Sequence, residues 1–275
     1  MSTDWLTIVA GDHEKSLVAR CQASVERIDC DLEMHVEMHT PDLTVLRWAR
    51  PGTSMCSFTT TITADRLIID GDQSPFVFAR RGTDWAGFFG DSAGVNLSYW
   101  GEKVAASREP ITRYSTAAAR EALADLVREA VEQVADECDF GLVEIVDPIW
   151  VPVRRDPDEG EDADDVNAEH EDALDALARA RDDVAAIYEQ ADEVWSHVYD
   201  DHTAAQALEA ISDLRVVTPN SDVSISFEDA YDYEADAVES YTIDFVQTCV
   251  RLRRAMGQWS QVRETTPFTH VPGEA

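Results

Sequence analysis

Five short apolar segments follow one another between residues 32 and 79, separated by turn residues and with no helix-length pattern between them. In the first segment Leu32, Met34, Val36 and Met38 alternate with charged or imidazole side chains. This period of two is typical of a half-buried strand. Because short strands at such spacing pair with their neighbours in the chain, the segment predicts an antiparallel β-meander.

The other strands of the meander are predicted from β-branched and aromatic residues, which suit a pleated surface. They cover residues 43–49, 58–63, 67–69 and 75–79. The dipeptides Pro51-Gly52 and Gly71-Asp72 are typical of turns between them. A weaker helical pattern over residues 12–28 precedes the first strand.

From Ser115 the apolar period lengthens to about 3.6 residues, which predicts an amphipathic helix with Ser115 or Thr116 as its N-cap. We expect this helix to cover one face of the sheet. The apolar runs 140–146 and 149–153 follow it and are predicted to be short strands or an extended edge.

An acidic segment separates this part of the chain from the rest. Ten of the seventeen residues from 156 to 172 are Asp or Glu, none is Lys or Arg, and Pro157 and Gly160 interrupt regular structure. Such composition predicts a loosely held linker. The expected organisation is an α+β domain of residues 1–155, a linker of residues 156–172, a helical part of residues 173–262 and a flexible tail of residues 263–275.

The helical part contains two seams of apolar residues at alternating steps of three and four. One runs from Leu174 to Val198, with Arg181 as its single departure, and the other runs from Val238 to Trp259. This spacing predicts an antiparallel helix pair or a short coiled coil. A small β-hairpin, with strands near 216–217 and 223–227, is predicted between the seams, and the fold class is α+β.

The net charge is −33 at pH 7, from 55 acidic and 22 basic residues, and only Lys15 and Lys103 are lysines. Charge repulsion of this size destabilises a compact fold, but about 1 M salt shortens the Debye length to about 3 Å. The composition is therefore typical of an extreme halophile. Two other interpretations remain, a mimic of nucleic-acid phosphates and a calcium-loaded acidic surface, although the chain has no EF-hand loop.

The remaining composition favours a cytoplasmic protein. No run approaches the roughly 20 apolar residues of a membrane-spanning helix, and the first ten residues do not resemble a secretion signal. Five scattered cysteines without a Cys-x-x-Cys pair favour reduced, mostly buried thiols. We therefore expect no membrane association, and the oligomeric state stays open.

The sequence shows no catalytic or cofactor-binding motif, because it has neither a G-x-S-x-G elbow nor a glycine-rich phosphate loop. His35 and His39 lie about 13 Å apart on a strand, too far to share one metal ion. We therefore predict no metal and no cofactor. Basic residues cluster only at Arg80-Arg81, Arg154-Arg155 and 251–254, too sparsely to predict direct nucleic-acid binding.

Aromatic side chains are densest between residues 85 and 100, near several glycines. Such a cluster either fills a core or lines a recognition pocket, because Tyr and Trp combine apolar area with a polar group. If it lines a pocket, these are the candidate ligand- or partner-binding residues: Asp72, Trp85, Asn96, Tyr99, Trp100, Glu102 and Lys103.

This segment also resembles a family of tailed-phage and prophage proteins. The shared features, in order, are a strand ending in Gly71-Asp72, an aromatic strand, a turn with Phe88-Phe89, and the run Tyr99-Trp100-Gly101-Glu102-Lys103. The resemblance covers residues 51–114, and the helix around Phe245 is similar to the closing aromatic helix of that family. It implies an α+β fold and a mobile-element origin, and it implies no activity.

Three functional hypotheses follow. The leading one is a non-enzymatic accessory protein of viral or proviral origin in an extreme halophile, acting by binding a protein or a nucleic-acid-processing partner. The second is an enzyme with an unrecognised site between Trp85 and Lys103, suggested by a lysine retained in a chain that nearly lacks them. The third is DNA mimicry by the acidic segment of residues 156–172.

Overall fold

The computed structural model of the chain describes residues 5–8, 12–147, 149–158, 162–198, 202–212, 215–221, 224–226 and 238–269. Its α-helices are α1 (Asp12–Ile28), α2 (Trp85–Gly90), α3 (Leu97–Gly101), α4 (Thr116–Cys138), α5 (Leu142–Val146), α6 (Ala163–Ser196), α7 (Ala204–Ser212) and α8 (Ile243–Val262). Each helix in these ranges is either too short or too polar to span a lipid bilayer.

The strands are short, as the sequence predicts. They are β1 (Glu33–His39), β2 (Thr44–Ala49), β3 (Phe58–Ile62), β4 (Arg66–Gly71), β5 (Phe76–Ala79), β6 (Val104–Ser107), β7 (Thr112–Tyr114), β8 (Arg215–Val217), β9 (Ser224–Ser226) and β10 (Glu239–Tyr241). The chain folds into two compact units, each formed from two separate stretches of sequence. The sheet unit comprises residues 13–113 and 241–275, and the helical unit comprises residues 1–12 and 114–240.

The sheet unit contains a six-stranded antiparallel sheet in the order β1-β2-β3-β4-β5-β6. The predicted meander and the α+β class are confirmed. The turn after β4 requires glycine, because Gly71 has a φ of +150° and a Cβ atom there would lie 2.4 Å from the Ser57 carbonyl oxygen. That close approach explains the Gly71-Asp72 signal in the sequence.

One face of this sheet is buried by helices. Leu46, Trp48, Leu67 and Phe78 point from alternate strand positions into a core that α1, α2, α3 and α8 complete. We expected the helix that begins after Ser115 to cover the sheet, but that helix belongs to the helical unit. Periodicity identifies which side of a helix is apolar and does not identify the surface that buries it.

The helical unit is built on α4, which packs against α6. Ser115 caps α4 as predicted, because its side chain accepts a hydrogen bond from the Ala118 amide. The Nε1 atom of Trp5 donates to Asp192 at 3.1 Å, and the Arg120 guanidinium lies 5.5 Å from the ring of Trp195. The predicted pairing of the two C-terminal seams is therefore wrong, because the helix from the first seam packs on α4 and α8 packs on α2.

Of the two runs predicted to be short strands or an extended edge, neither forms a paired strand within the described residues 140–147 and 149–158. Residues 142–146 form α5, and residues 150–158 have neither helix nor strand. A five-residue apolar run is ambiguous between helix and strand because it covers less than two turns of a helix, too few to show a helical period. A residue distant in sequence stabilises the helix: Arg181 donates to the carbonyl oxygens of Glu144 and Ile145 in α5, each at 3.1 Å.

The acidic segment also differs from the prediction. Residues 163–172 form the first turns of α6, where Asp162 accepts a hydrogen bond from the Asp164 amide as N-cap. Asp164 and Asp165 occupy the first turn, where the helix dipole favours negative charge. The acidic composition that suggested a linker therefore also suits a helix N-terminus. Residues 159–161 lie outside the described residues.

The predicted hairpin forms from β8 and β9, which pair antiparallel. Val223 and Phe227, which the prediction included, lie outside the described residues. The tail was predicted to be flexible, yet its described part is bound to strand β1. The Thr269 amide donates to the His39 carbonyl oxygen at 2.7 Å, and the His39 amide donates to the Thr269 hydroxyl at 3.0 Å.

Candidate functional sites

The aromatic cluster predicted as core or pocket is mostly core. Trp85, Phe89 and Trp100 are buried, and the Phe89 and Trp100 rings meet edge to face with centroids 4.8 Å apart. The indole N–H of Trp85 donates to the Thr63 carbonyl oxygen at 3.2 Å. These side chains are therefore already satisfied by the protein itself and leave little surface for a ligand.

The surface member of the cluster is Tyr99, which lies between two cations. Arg80 donates to the Tyr99 hydroxyl at 2.8 Å, and the Lys103 ammonium lies 4.7 Å from the ring centroid. Lys103 also pairs with Glu102 at 2.8 Å. Asn96 caps α3 by accepting a hydrogen bond from the Tyr99 amide at 3.0 Å. Cation–π contact and ion pairing account for the position of the retained lysine.

Asp72 lies apart from this group. It follows β4 and precedes β5, whereas Arg80 follows β5 and the Ala79 amide donates to the Lys103 carbonyl oxygen. The four residues of β5 place the two ends about 13 Å apart. The structure therefore brings Tyr99, Glu102 and Lys103 together and separates Asp72 from them.

A groove of about 540 Å³ opens beside α8 in the sheet unit. Residues of α1, including Gln22 and Glu26, line it together with Val95 and with Arg254 and Gln258 of α8. Its volume is within the range of about 300–1,000 Å³ that is typical of ligand sites. The basic residues 251–254 are evident in the sequence, but their position beside α1 is not, because the two elements lie more than 200 residues apart.

The two arginines of the groove have different roles. The Arg253 guanidinium donates to the carbonyl oxygens of Ser92 at 3.1 Å and of Ala93 at 3.2 Å, so it supports the loop before α3. Arg254 is half-buried and makes no hydrogen bond or ion pair within the part of the chain that the structure describes.

The polar side chains of the groove are partly engaged. Glu26 accepts a hydrogen bond from Gln22 at 2.9 Å, and Trp48 donates to the Gln258 amide oxygen at 3.1 Å.

The cysteines differ in their access to solvent. Cys249 is buried in α8, and burial raises the pKa of its thiol well above the ordinary value. Burial likewise raises the pKa of Cys21, an effect that Arg20 partly opposes. Cys30 is exposed and lines the groove. Because reagents in solution can reach its exposed thiol, Cys30 is a natural reporter of groove occupancy.

A second surface feature lies in the helical unit. The side chains of Ile149, Val151 and Val153 are 86%, 55% and 92% exposed. We call these three residues the apolar strip. Between them Trp150 packs against the core, with its ring 6.1 Å from that of Phe140. An alternation of exposed and packed side chains over successive residues is typical of extended chain.

Arg181 holds this segment in place. Its Nη2 atom donates to the carbonyl oxygens of Asp147 and Trp150, the latter at 2.8 Å, in addition to its two bonds to α5. Arg181 was the single departure from the apolar seam of the sequence, and that break was the available signal for this role. Val151 and Val153 make no backbone hydrogen bond to any described residue, so their peptide groups are open to a partner.

The histidines do not form a metal centre in the described ranges, which contain no group of three His, Cys, Asp or Glu side chains placed to hold an ion. His39 instead shares a hydrogen bond with the Thr44 hydroxyl at 3.0 Å, and its ring packs near Trp259 and Phe268. Its role is therefore structural.

Comparison of the chain with protein-family models, with curated proteins and with solved structures found no match. The resemblance to tailed-phage proteins therefore stays a prediction.

Proposed function

We propose that this protein is a non-enzymatic accessory protein of viral or proviral origin in an extreme halophile, and that it acts by binding a protein partner along the apolar strip. The observation that carries the proposal is the exposure of Ile149, Val151 and Val153 on a backbone that Arg181 fixes. Exposed apolar patches on a polar surface are typical of interaction sites.

Burial of the strip would supply binding free energy. A fully buried Val or Ile side chain is worth about 1.5–3 kcal/mol relative to an exposed one. The hydrogen bonds from Arg181 to the carbonyl oxygens of Asp147 and Trp150 fix the start of the strip before a partner arrives. Prior ordering lowers the entropy lost on association. The strip is therefore better suited to binding than an equally apolar flexible loop.

The open peptide groups indicate how the partner binds. Because Val151 and Val153 have unpaired backbone groups and side chains on one side, a partner segment can pair with them as an added strand. Strand addition takes affinity from main-chain hydrogen bonds and specificity from alternate side chains. The partner segment is accordingly extended, with apolar side chains at every second position.

Charge determines the other positions of the partner segment. Asp147, Asp156 and Asp158 flank the strip in a chain whose net charge is −33. The adjacent Arg154 and Arg155 are already engaged, Arg154 by Asn167 and Arg155 by Glu169 at 3.1 Å. A second copy of this chain would bring the same charge, so repulsion opposes self-pairing at contact distance, where a Debye length of about 3 Å in about 1 M salt leaves some of it unscreened. Lys or Arg between the apolar residues of the partner would instead be attracted. The proposed partner is therefore a basic, extended protein segment.

The test uses a short synthetic peptide that alternates lysine and valine, added to the full chain in about 1 M KCl so that exposed charges are screened. We expect slower hydrogen exchange at the amides of Val151 and Val153. A double variant, Ile149→Ser with Val153→Ser, should weaken peptide binding by about tenfold or more, because two apolar contacts are removed.

The matched control is Val143→Ser, which changes an exposed apolar residue of α5 outside the strip. It should leave the peptide affinity unchanged. Equal loss of affinity in the control and the double variant, or binding without protection at Val151 and Val153, would show that the peptide is attracted only by overall charge. Absence of binding would also overturn strand addition at this site.

A further inference from the structure

The groove beside α8 is a second surface with ligand chemistry, and it lies in the sheet unit, whereas the apolar strip lies in the helical unit. It combines an apolar wall from Val25, Val95 and Val250 with amide side chains from α1 and α8. Mixed walls of this kind bury the apolar part of a ligand and orient it by a few polar groups.

Arg254 provides the charge for recognition. Arg254 is half-buried in the groove and has no hydrogen-bonding partner among the described residues, so its guanidinium is free to bind a ligand. A guanidinium offers donors in a planar fork that matches a carboxylate with two parallel hydrogen bonds. Arg253 cannot serve equally, because it is engaged by the carbonyl oxygens of Ser92 and Ala93.

The other groove residues favour a singly charged group. Glu26 lies in the same groove, and the chain as a whole carries −33 charges, so a doubly charged phosphate is disfavoured relative to a carboxylate. Gln258 receives the Trp48 indole N–H on its amide oxygen, which leaves its NH₂ group to donate. Gln261 adds a second amide, and side-chain amides pair well with peptide groups.

We infer that this groove binds the carboxylate end of a peptide or protein chain, with the carboxylate on Arg254, the last peptide groups on the glutamine side chains and small apolar side chains against the valines. This inference is independent of strand addition at the apolar strip. A free small carboxylate would satisfy Arg254 but would leave the amide and apolar walls unused.

The test compares N-acetyl-Ala-Val-Ala with a free carboxylate against the same peptide with a C-terminal amide, using titration calorimetry in about 1 M KCl. Acetate forms a third arm. We expect the affinity for the peptide acid to be at least about tenfold higher than that for the peptide amide and that for acetate. Bound acid should also slow alkylation of Cys30, which lines the groove.

Variants locate the binding. Arg254→Gln should lower the affinity for the acid by about tenfold or more, and Arg254→Lys should retain part of it because the charge remains. Arg66→Gln is the matched control, since it makes the same charge change at an exposed position of β4. Retention of an unreactive Cys249 would show that each variant is folded.

Several results would overturn the inference. Equal affinity for the acid and the amide, or for the natural chain and Arg254→Gln, would exclude recognition of a carboxylate by Arg254. Equal affinity for acetate and the peptide would assign the groove to free carboxylates and not to chain ends. An absence of binding in all arms would remove the site.

Discussion

The two units of the molecule fill their cores with different side chains. In the sheet unit, nine of the 21 buried core residues that the structure describes are aromatic, whereas in the helical unit Trp5 is the one aromatic residue among 19. Alanine and valine predominate on α4, where small side chains let helices approach closely. Helices over a sheet instead leave space that large rings occupy.

This difference in core composition should determine how much stability each unit loses when one core side chain is removed. A core of interlocking rings concentrates its stability in a few residues, while a core of small residues distributes it over many contacts.

The largest effect is expected for Trp100→Ala in the sheet unit. Removal of a buried tryptophan leaves a large cavity and should lower the free energy of unfolding by about 4 kcal/mol. Val134→Ala in α4 removes far less volume and should cost about 2 kcal/mol. Urea unfolding in high salt measures both changes, and equal losses would contradict the contrast between the two cores.

The next effect is expected for two arginines that bind residues distant in sequence. Arg251 pairs with Asp29 at 2.8 Å, with side chains 11% and 3% exposed. Arg251→Met leaves a buried carboxylate without its partner and should cost about 3 kcal/mol. Arg181→Met in the helical unit leaves carbonyls that water can reach and should cost about 2 kcal/mol.

The double variant Arg251→Met with Asp29→Leu is the control for this prediction. It replaces the buried ion pair by apolar side chains and should recover most of the lost stability. For Arg181→Met, faster hydrogen exchange should be confined to residues 142–153. Exchange that rises equally throughout the helical unit would show that Arg181 supports the whole core and not the segment around the strip.

A smaller effect separates two glycines that face each other. A Cβ atom on Gly90 would lie 2.7 Å from the Gly257 nitrogen, whereas one on Gly257 would lie 3.8 Å from the Gly90 oxygen. Gly90→Ala forces α2 away from α8 and should cost about 2 kcal/mol. Gly257→Ala fits in an ordinary contact and should stabilise the helix by about 0.5 kcal/mol. Destabilisation of similar size by both would contradict this asymmetry.

The smallest effect is on a surface ion pair. Arg263 donates to Asp84 at 2.5 Å and holds the pKa of that carboxyl below its usual range. The pair therefore contributes stability above about pH 4, and this is lost as the pH falls through the lowered folded-state pKa. Since both side chains are partly exposed, the contribution is about 0.5 kcal/mol or less.

The measurement for this pair is the unfolding free energy of the natural chain and of Asp84→Asn, at neutral pH and again below about pH 3. The difference between the two proteins should disappear in acid. Arg263→Gln should remove most of the same pH dependence, because Arg263 is the largest cause of the lowered Asp84 pKa and the backbone amides of Gly87 and Ala86 supply the rest. A difference that persists in acid would assign the effect to packing of Asp84 and not to its charge.

Much of the fold could be predicted from the sequence because strand alternation and caps are local. The strand predicted from the alternation of Leu32 to Met38 forms as β1, although Val36 is exposed and the pairing with β2 shifts register between Val36 and Met38. The cap at Ser115 appears as predicted. Helix partners could not be predicted, since α6 and α8 present similar apolar seams to different neighbours. The groove and the strip were missed for the same reason: the position of Arg254 beside α1, and of Arg181 beside residues 144–150, depends on contacts remote in sequence.

The hydrogen bonds between Thr269 and His39 have a consequence for aggregation at high salt concentration. Strand β1 is at the margin of its sheet, and unpaired margins can recruit strands from other molecules into aggregates. In dilute medium its glutamates would repel such neighbours, but strong salt suppresses that repulsion. Thr269 occupies the peptide groups of His39 and so blocks another strand from pairing there. Salt does not weaken this steric protection.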